Sequence, residues 1–184
     1  HGECNCKEDI HGKLISLFFS KSRKLWFMSE KQKQVYHSQF PFLKKNNTEI
    51  LSSVFADQTL NNIVSLEKNK SNKYIILNSN SWIKATQDCI QYAVKNKLKY
   101  ELVSNLSHRD LLKKLASSKG LIFLPSGGDT CPRITIEAKL LGCDLRLNGN
   151  VLHKDEAWFS GNVDTTLEYL KNNKSRFWES FNES

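Results

Sequence analysis

The residues best suited to chemistry lie in one segment, between Gly120 and Gly142. Seven residues separate Asp129 from Glu137 there, and positions 127 and 128 are both glycine. Paired glycines let backbone amides approach a phosphate group because they carry no Cβ atom. With one carboxylate beside that turn and another further along, the segment has the layout of a cradle for a phosphate or a nucleotide sugar.

A strand, a turn and a helix must position this cradle. Leu121 to Leu124 is a continuous apolar run, which predicts a parallel strand buried on both faces, and turn residues from Pro125 to Gly128 end it. Asp129 or Thr130 is predicted to cap the following helix, and Gly142 to end it. The N-terminus of that helix offers free N–H groups and the positive end of its dipole, so an anion is the expected ligand.

The sequence around the cradle alternates between strand and helix patterns. Strands are predicted over 73–78, 98–103, 121–124 and 144–148, and helices over 85–96, 108–118 and 131–141. This alternation is typical of right-handed βαβ units and predicts an α/β protein with a Rossmann-like parallel sheet and helices on both faces. Ligands bind such sheets at the carboxyl ends of the strands, so we expect the site among the loops that follow Asn78, Val103, Leu124 and Leu147.

Two stretches of the segment resemble a known family: Pro-Ser-Gly-Gly-Asp at 125–129 and Ile-Glu-Ala-Lys-Leu-Leu-Gly-Cys at 136–143. They are similar to the carboxylate-x7-carboxylate signature in the C-terminal, donor-binding half of retaining GT-B glycosyltransferases, group 1 and family 4-like. The resemblance implies the GT-B fold, with Glu137 bonding the ribose hydroxyls of a nucleotide diphosphate sugar. It places Asp129, where the family usually has glutamate, in the catalytic position near the donor sugar.

The resemblance also implies a binding site for the diphosphate. Lys84, in the loop after the strand at 73–78, matches the family's lysine, whereas Ser79 stands where the family has an arginine and Ala85 where it has a glycine. Four more residues are expected near the phosphates: Gly127, Gly128, Thr130 and Arg133. The nucleotide sugar is the donor substrate, and this arrangement requires neither a cofactor nor a metal ion.

Structural roles are the alternatives for these residues. Asp129 is suited to capping a helix, and Glu137 to pairing with a lysine on an exposed helix face. The paired glycines suit a turn alone, and Arg133 suits a solvated position. Trp82 is suited either to stacking on a base or to covering the strand end. The polar residues 148–156 are interpreted as a loop with a helix cap or as ligands.

Length limits what the chain can hold. With 184 residues it has room for one domain of ordinary size, whereas GT-B enzymes consist of two halves. We expect a polar N-terminal segment with the last strand and helix of a first half over 1–48, a Rossmann-like nucleotide-sugar-binding domain over 49–160, and one or two amphipathic helices over 161–184. The resemblance therefore implies a fragment whose partner is a missing, acceptor-binding N-terminal half.

The chain ahead of residue 73 has weaker patterns. Residues 1–12 lack periodicity and are interpreted as a linker or a truncated end, and 14–19 fit helix and strand spacing alike. Further on, the predictions are a buried strand over 24–28, a helix capped by Ser29 that ends near His37, a short strand over 49–55 and a helix over 57–68.

Basic residues are in excess, with 27 lysines and arginines against 19 aspartates and glutamates, and the formal net charge is +8. This charge favours anionic partners such as sugar nucleotides, phospholipid surfaces or nucleic acid, and does not choose among them. No nucleic-acid-binding motif is visible, so nucleic acid is not expected. Association with a membrane surface and with a second copy of the chain stay open as further partners.

Composition and cysteine content bear on the compartment. With 39% hydrophobic and 25% charged residues, the chain is expected to fold. No stretch is long and apolar enough to cross a bilayer, no signal-peptide pattern stands at the start, and the five cysteines are an odd number. We therefore expect a cytoplasmic protein with reduced thiols. His1, Cys4, Cys6 and His11 are an alternative zinc set whose spacing matches no common zinc motif.

Three hypotheses for function result. The first is a fragment or domain of a glycosyltransferase that binds a nucleotide diphosphate sugar for retaining glycosyl transfer and, alone, transfers sugar poorly or not at all. The second is a catalytically inactive nucleotide-binding or interaction module of the same fold, motivated by Ser79 and by the shorter acid at Asp129. The third, an unrelated phosphate-binding protein such as a phosphatase, lacks the early acid cluster or nucleophilic cysteine loop which that chemistry requires.

Overall fold

A computed structural model of the protein describes residues 10–45 and 47–182. The strands are β1 (Lys24–Phe27), β2 (Asn47–Ile50), β3 (Tyr74–Leu77), β4 (Tyr100–Val103), β5 (Gly120–Phe123) and β6 (Asp144–Leu147). The helices are α1 (Ile10–Lys21), α2 (Glu30–Gln39), α3 (Asp57–Val64), α4 (Thr86–Lys95), α5 (His108–Ser117), α6 (Arg133–Leu140), α7 (Ala157–Ser160) and α8 (Val163–Asn182). Short 3₁₀ turns cover Pro41–Lys45 and Trp82–Lys84.

Four strands form one parallel sheet in the order β4-β3-β5-β6. Ile75 and Phe123 contribute to a large core together with α3, α5, α6 and α8, while Ile76 and Ile122 contribute to a smaller core together with α4. Because side chains alternate along a strand, these two cores lie on opposite faces of the sheet. The prediction of an α/β protein with a parallel sheet flanked by helices is therefore confirmed, and the arrangement is compatible with a Rossmann-like fold.

Helix α6 ends as predicted and begins later than predicted. At its C-terminus Gly142 has φ +69°, and its N–H donates to the carbonyl of Lys139 over 2.9 Å, as a glycine C-cap does. At its N-terminus Pro132 occupies the cap position without a side-chain cap bond. The prediction that Asp129 or Thr130 caps this helix is wrong, because Asp129 instead forms a parallel β-bridge with Val151.

Other boundaries also differ from prediction. Helix α3 ends at Val64, before the predicted end, and Leu66 beyond it packs against the core. Strand β2 ends at Ile50, because its partner β1 ends at Phe27, and further on the carbonyl of Ser53 accepts a hydrogen bond from Asn173 of α8 over 2.9 Å. The interpretation of 1–12 as a linker is wrong at its end, where α1 begins, and residues 1–9 lie outside the described part.

Strands β1 and β2 form a separate parallel pair joined by α2. Ser29 caps α2 as predicted, since its hydroxyl accepts the N–H of Gln32 over 3.1 Å. Helix α8 returns to this pair: Ser180 donates to Glu49 over 2.6 Å, and Arg176 lies 3.2 Å from the same carboxylate. The hydrogen bond from Ser180 and the nearby Lys24 ammonium hold the pKa of Glu49 at about 2.

The β1-β2 unit leaves apolar side chains on the surface. Helix α1 exposes an apolar row, and the end of α8 exposes two aromatic rings: Ile10, Leu14, Leu17, Phe18, Trp178 and Phe181. Trp26 of β1 is partly exposed and lies 5.7 Å from the ring of Phe177. Across residues 10–45 and 47–182, none of the helices combines the length and the apolar character that crossing a membrane requires.

Candidate functional site

The predicted site lies at the carboxyl edge of the β4-β3-β5-β6 sheet. Loops leave this edge after each strand, over 78–85, 104–107, 124–132 and 148–156. A cleft of about 280 Å³ opens there, lined by residues 77–79 and 103–106 with Lys84 and Leu111. The geometry therefore brings the loops after β3 and β4 together around one cleft, as parallel strands require.

The loop after β5, which carries the paired glycines, is fastened by the loop after β6. The N–H of Asp129 donates to the carbonyl of Asn150 over 2.8 Å, and the N–H of Leu152 donates to the carbonyl of Asp129 over 3.0 Å. Side-chain amides add to this, because Asn148 and Asn150 both donate to the carbonyl of Pro125, over 3.0 and 2.8 Å. The backbone of the loop is thus fixed, and the Asp129 side chain is left to make its own contacts.

Asp129 and Lys84 come together across this edge. Lys84 Nζ lies 3.4 Å from Asp129 Oδ2, with 30% and 20% of the two side chains exposed. The ammonium also lies 5.0 Å from the centroid of the Phe123 ring, at the end of β5. A partly buried cation with one carboxylate neighbour can exchange that neighbour for a phosphate oxygen, because both present a negative oxygen at hydrogen-bonding distance.

The loop after β3 holds Lys84 in place through its neighbours. The hydroxyl of Thr86 donates to the carbonyl of Leu77 over 2.9 Å and accepts the N–H of Ser79 over 3.1 Å. Ala85 has φ +46°, in the left-handed region that favours glycine. Position 85 therefore has a glycine-like backbone, although the residue is alanine.

Glu137 lies in the middle of α6 and is buried, with 5% of its side chain exposed. Its Oε1 lies 2.9 Å from Nε2 of His108, the first residue of α5. The alternative of an exposed glutamate that pairs with a lysine is wrong for this residue. The buried carboxylate of Glu137 thus lies beside an imidazole whose side chain is 57% exposed.

The four remaining predicted residues have mixed surroundings. A Cβ atom on Gly127 would lie 2.9 Å from the ring of Trp82, whereas one on Gly128 would lie 3.7 Å from Leu152. Thr130 Oγ1 lies 3.6 Å from Met28 Sδ, so it faces the end of β1. Arg133, at the first position of α6, is exposed, and its guanidinium stacks 4.2 Å from the centroid of the Phe55 ring.

The roles of two histidines in the structure differ from those that the sequence predicted. His108 was predicted only as a helix start, yet the expectation that the loop after Val103 lines the site points to it. His153 belongs to the polar loop 148–156 and is fully buried, with its ring 5.4 Å from Trp158 and 4.4 Å from Phe159. Burial lowers the pKa of His153 to about 4, so the ring is neutral near pH 7 and has a packing role.

A second cleft lies between α3 and α5, with a volume of about 510 Å³. Its lining includes His108 and Arg109 on one side and Thr59, Asn62 and Ser65 on the other. His108 thus touches both this cleft and the buried carboxylate of Glu137. The lining of this cleft therefore has polar groups and two basic side chains, one of which is the partner of Glu137.

Metal binding and cysteine chemistry have little support. In the part of the chain that the structure describes, no group of three or more His, Cys, Asp or Glu side chains could hold a metal ion. Of the alternative zinc set, only His11 belongs to that part, and the other three residues lie outside it. Cys89, Cys131 and Cys143 are free thiols, and burial raises the pKa of each, that of Cys131 to about 12.

The sequence was compared with known proteins. It matches no protein-family model and no curated relative.

Proposed function

We propose that the chain is the donor-binding half of a retaining glycosyltransferase of the GT-B type and holds a nucleotide diphosphate sugar at the carboxyl edge of the β4-β3-β5-β6 sheet. One observation carries the proposal: Glu137, eight positions after the Lys84-bound Asp129, is a buried carboxylate whose partner His108 directly follows the loop after β4. Buried carboxylates require polar partners, and ribose hydroxyls can donate to one.

The diphosphate belongs beside Lys84. When phosphate oxygens arrive, they replace Asp129 as the partner of the ammonium, and the N-terminus of α6 adds the positive end of its dipole. The fastened backbone of 125–129 supplies a preformed turn at which Gly127 and Gly128 present main-chain amides. Thr130 and Arg133 follow on the same loop and helix start, where they assist in holding the phosphates.

Asp129 then faces the donor sugar. Released from Lys84, its carboxylate is free to accept hydrogen bonds from sugar hydroxyls. In a complete enzyme the bond between the anomeric carbon and the diphosphate oxygen breaks, and the bonding electrons stay on the diphosphate. Lys84 and the dipole of α6 stabilise that developing charge. The acceptor hydroxyl forms the new bond on the same face of the sugar, and its proton passes to the departing diphosphate oxygen. No metal or cofactor takes part in this proposal.

The acceptor-binding half is proposed to pack on the β1-β2 unit. A parallel pair of only two strands buries little surface by itself, and parallel sheets are normally covered on both faces. The exposed apolar row of α1 and the exposed rings of Trp178 and Phe181 lie on this unit and on the helix that returns to it. These surfaces fit a partner domain that extends the sheet.

A second candidate is an inactive nucleotide-binding module of the same fold. It is favoured by Ser79, which stands where the family has an arginine and leaves Lys84 as the cation of the cleft lined by residues 77–79. The two candidates differ at the sugar. A donor-binding half binds a sugar nucleotide more tightly than the bare diphosphate, and Asp129→Asn removes the difference, whereas a module that binds nucleotide alone shows no difference.

Calorimetric titration tests the proposal with UDP, GDP and their glucose or mannose conjugates. We expect one of the two bases to bind, Glu137→Ala to weaken that binding about 30-fold, and Glu168→Ala to leave it unchanged, because Glu168 is an exposed glutamate on α8. Binding by neither base, or equal affinity for the wild type and Glu137→Ala, contradicts the proposal.

A further inference from the structure

The contact between His108 and Glu137 links two helices at the site. Nε2 of His108 lies 2.9 Å from Oε1 of Glu137, on a carboxylate whose side chain is 5% exposed. Among the described residues no other side chain forms a hydrogen bond with this carboxylate. Since an unpartnered buried carboxylate is costly, the orientation of Glu137 depends on this one imidazole.

The chemistry of the pair fixes the direction of its hydrogen bond. An ionised carboxylate can only accept, so Nε2 of His108 carries the proton and donates it. Oε1 is then occupied, and Oε2 remains as the acceptor for a ligand hydroxyl. A glutamate held at one oxygen presents the other in a defined direction, because rotation about its last bond would break the hydrogen bond.

The position of His108 is itself set locally. Ser107 caps α5, with its hydroxyl accepting the N–H of Asp110 over 3.2 Å and donating to the Asp110 carboxylate over 2.6 Å. This cap places the next residue, His108, at the very start of the helix. The remaining edge of the ring lines the cleft of about 510 Å³ between α3 and α5, beside Arg109.

We propose that His108 is the positioning residue for Glu137 and thereby sets the preference of this site for ribose over deoxyribose. The inference rests on the proposed function, since it assigns the hydroxyls of a nucleoside diphosphate to Oε2 of Glu137. The role is specific to His108, because the neighbouring Arg109 lines the same cleft without a hydrogen bond to that carboxylate.

Calorimetry tests the proposal by measuring the dissociation constants of four proteins for UDP, 2′-deoxy-UDP, GDP and 2′-deoxy-GDP. The proteins are the wild type and the variants His108→Ala, His108→Gln and Arg109→Ala. For the base that binds, we expect the wild type to favour the ribonucleotide about tenfold, the size of one hydrogen bond to a charged group. His108→Ala brings that ratio close to one, while His108→Gln, which can still donate near the Nε2 position, retains most of it.

The controls separate the possible failures. Arg109→Ala is expected to keep the ribose preference even where overall affinity falls, and the melting temperature of each variant reports whether it is folded. Equal weakening of both nucleotides in a folded His108→Ala variant overturns the positioning role, as does a glutamine variant that behaves like alanine. A wild type that binds neither nucleotide overturns the proposed function itself, and a wild type that binds both equally overturns the assignment of Glu137 to ribose.

Discussion

Two carboxylates at the same sheet edge are held in opposite ways. Asp129 lies on a loop whose backbone is bridged to the loop after β6, and its partly exposed side chain pairs with the Lys84 ammonium. Glu137 lies on a helix, is almost fully buried and is held by the imidazole of His108. Asp129 therefore has a partner that phosphate oxygens replace in our proposal, whereas Glu137 is oriented by a side chain of the fold itself.

The difference follows from what each partner requires. A lysine ammonium is a strongly hydrated point charge on a flexible stem, so its pairing with a partly exposed carboxylate contributes little stability. A buried carboxylate that loses its partner keeps its desolvation cost, so the Glu137 pair resists opening. We therefore propose that the Lys84–Asp129 pair exchanges partners when a ligand binds and that the His108–Glu137 pair is preorganised for that ligand.

The largest predicted effect comes from deleting each carboxylate in turn. Glu137→Ala is expected to weaken binding of the nucleoside diphosphate about 30-fold, because it removes a charged hydrogen-bond acceptor from a buried site. Asp129→Ala is expected to leave the affinity for the same diphosphate unchanged or to raise it, since it frees Lys84 and removes a negative charge near the phosphates. Calorimetry on both variants measures the contrast, and equal losses would contradict it.

The pH dependence of stability tests the packing of His153, which lies beneath the loop that carries Asp129. His153 has a pKa of about 4 in the fold against about 6.5 in the unfolded chain, so the unfolded state binds the proton more tightly. The stabilising contribution of the neutral ring is complete above pH 6.5 and is lost as the pH falls towards 4. We expect the free energy of unfolding to drop by about 2 kcal/mol between pH 7.5 and pH 5, measured by denaturant titration. In His153→Leu the free energy of unfolding should depend less on pH. An unchanged pH dependence in this variant would show that a group other than His153 causes the loss of stability.

Replacing Lys84 is expected to have a more moderate effect and tests the proposed exchange of partners in the Lys84–Asp129 pair. Lys84→Met should weaken binding of UDP or GDP about tenfold and leave binding of the corresponding nucleoside unchanged, because only the phosphates replace Asp129. Lys95→Met, which removes an exposed lysine from the last turn of α4, is the matched control. Equal weakening of nucleotide and nucleoside would place Lys84 away from the phosphates.

The smallest predicted effect separates the two glycines. A methyl group on Gly127 meets the Trp82 ring at 2.9 Å, whereas one on Gly128 makes an ordinary contact with Leu152 at 3.7 Å. Because 59% of Trp82 is exposed, its ring can shift, and we expect Gly127→Ala to cost less than about 1 kcal/mol of stability. Tryptophan fluorescence should change in Gly127→Ala and not in Gly128→Ala. Identical fluorescence spectra for the two variants would contradict the expected contact between residue 127 and the Trp82 ring.

The sequence predicted the strand and helix order well because those signals are local. The apolar run at 121–124 and the glycine at 142 lie close to the observed ends of β5 and α6. The same local logic failed at Asp129. An aspartate after a glycine turn suits a helix cap and a β-bridge equally. The bridge forms here because the N–H of Asp129 donates to the carbonyl of Asn150, which is distant in sequence.

Tertiary contacts account for what the sequence could not predict at the site. The spacing of Asp129 and Glu137 places one carboxylate on a loop and the other on a helix, but it contains no information on their partners. His108 reaches Glu137 only because α5 and α6 pack side by side on one face of the sheet. Lys84 reaches Asp129 because β3 and β5 are adjacent although helices and a strand separate them along the chain.

A crystal structure of the chain with UDP or GDP, whichever binds, tests the central claim most directly. The account predicts the ribose hydroxyls within hydrogen-bonding distance of Glu137, the phosphates beside Lys84 Nζ, and a Lys84–Asp129 separation larger than 3.4 Å. A nucleotide bound away from the carboxyl edge of the sheet, or one that leaves Glu137 without contact, would contradict it.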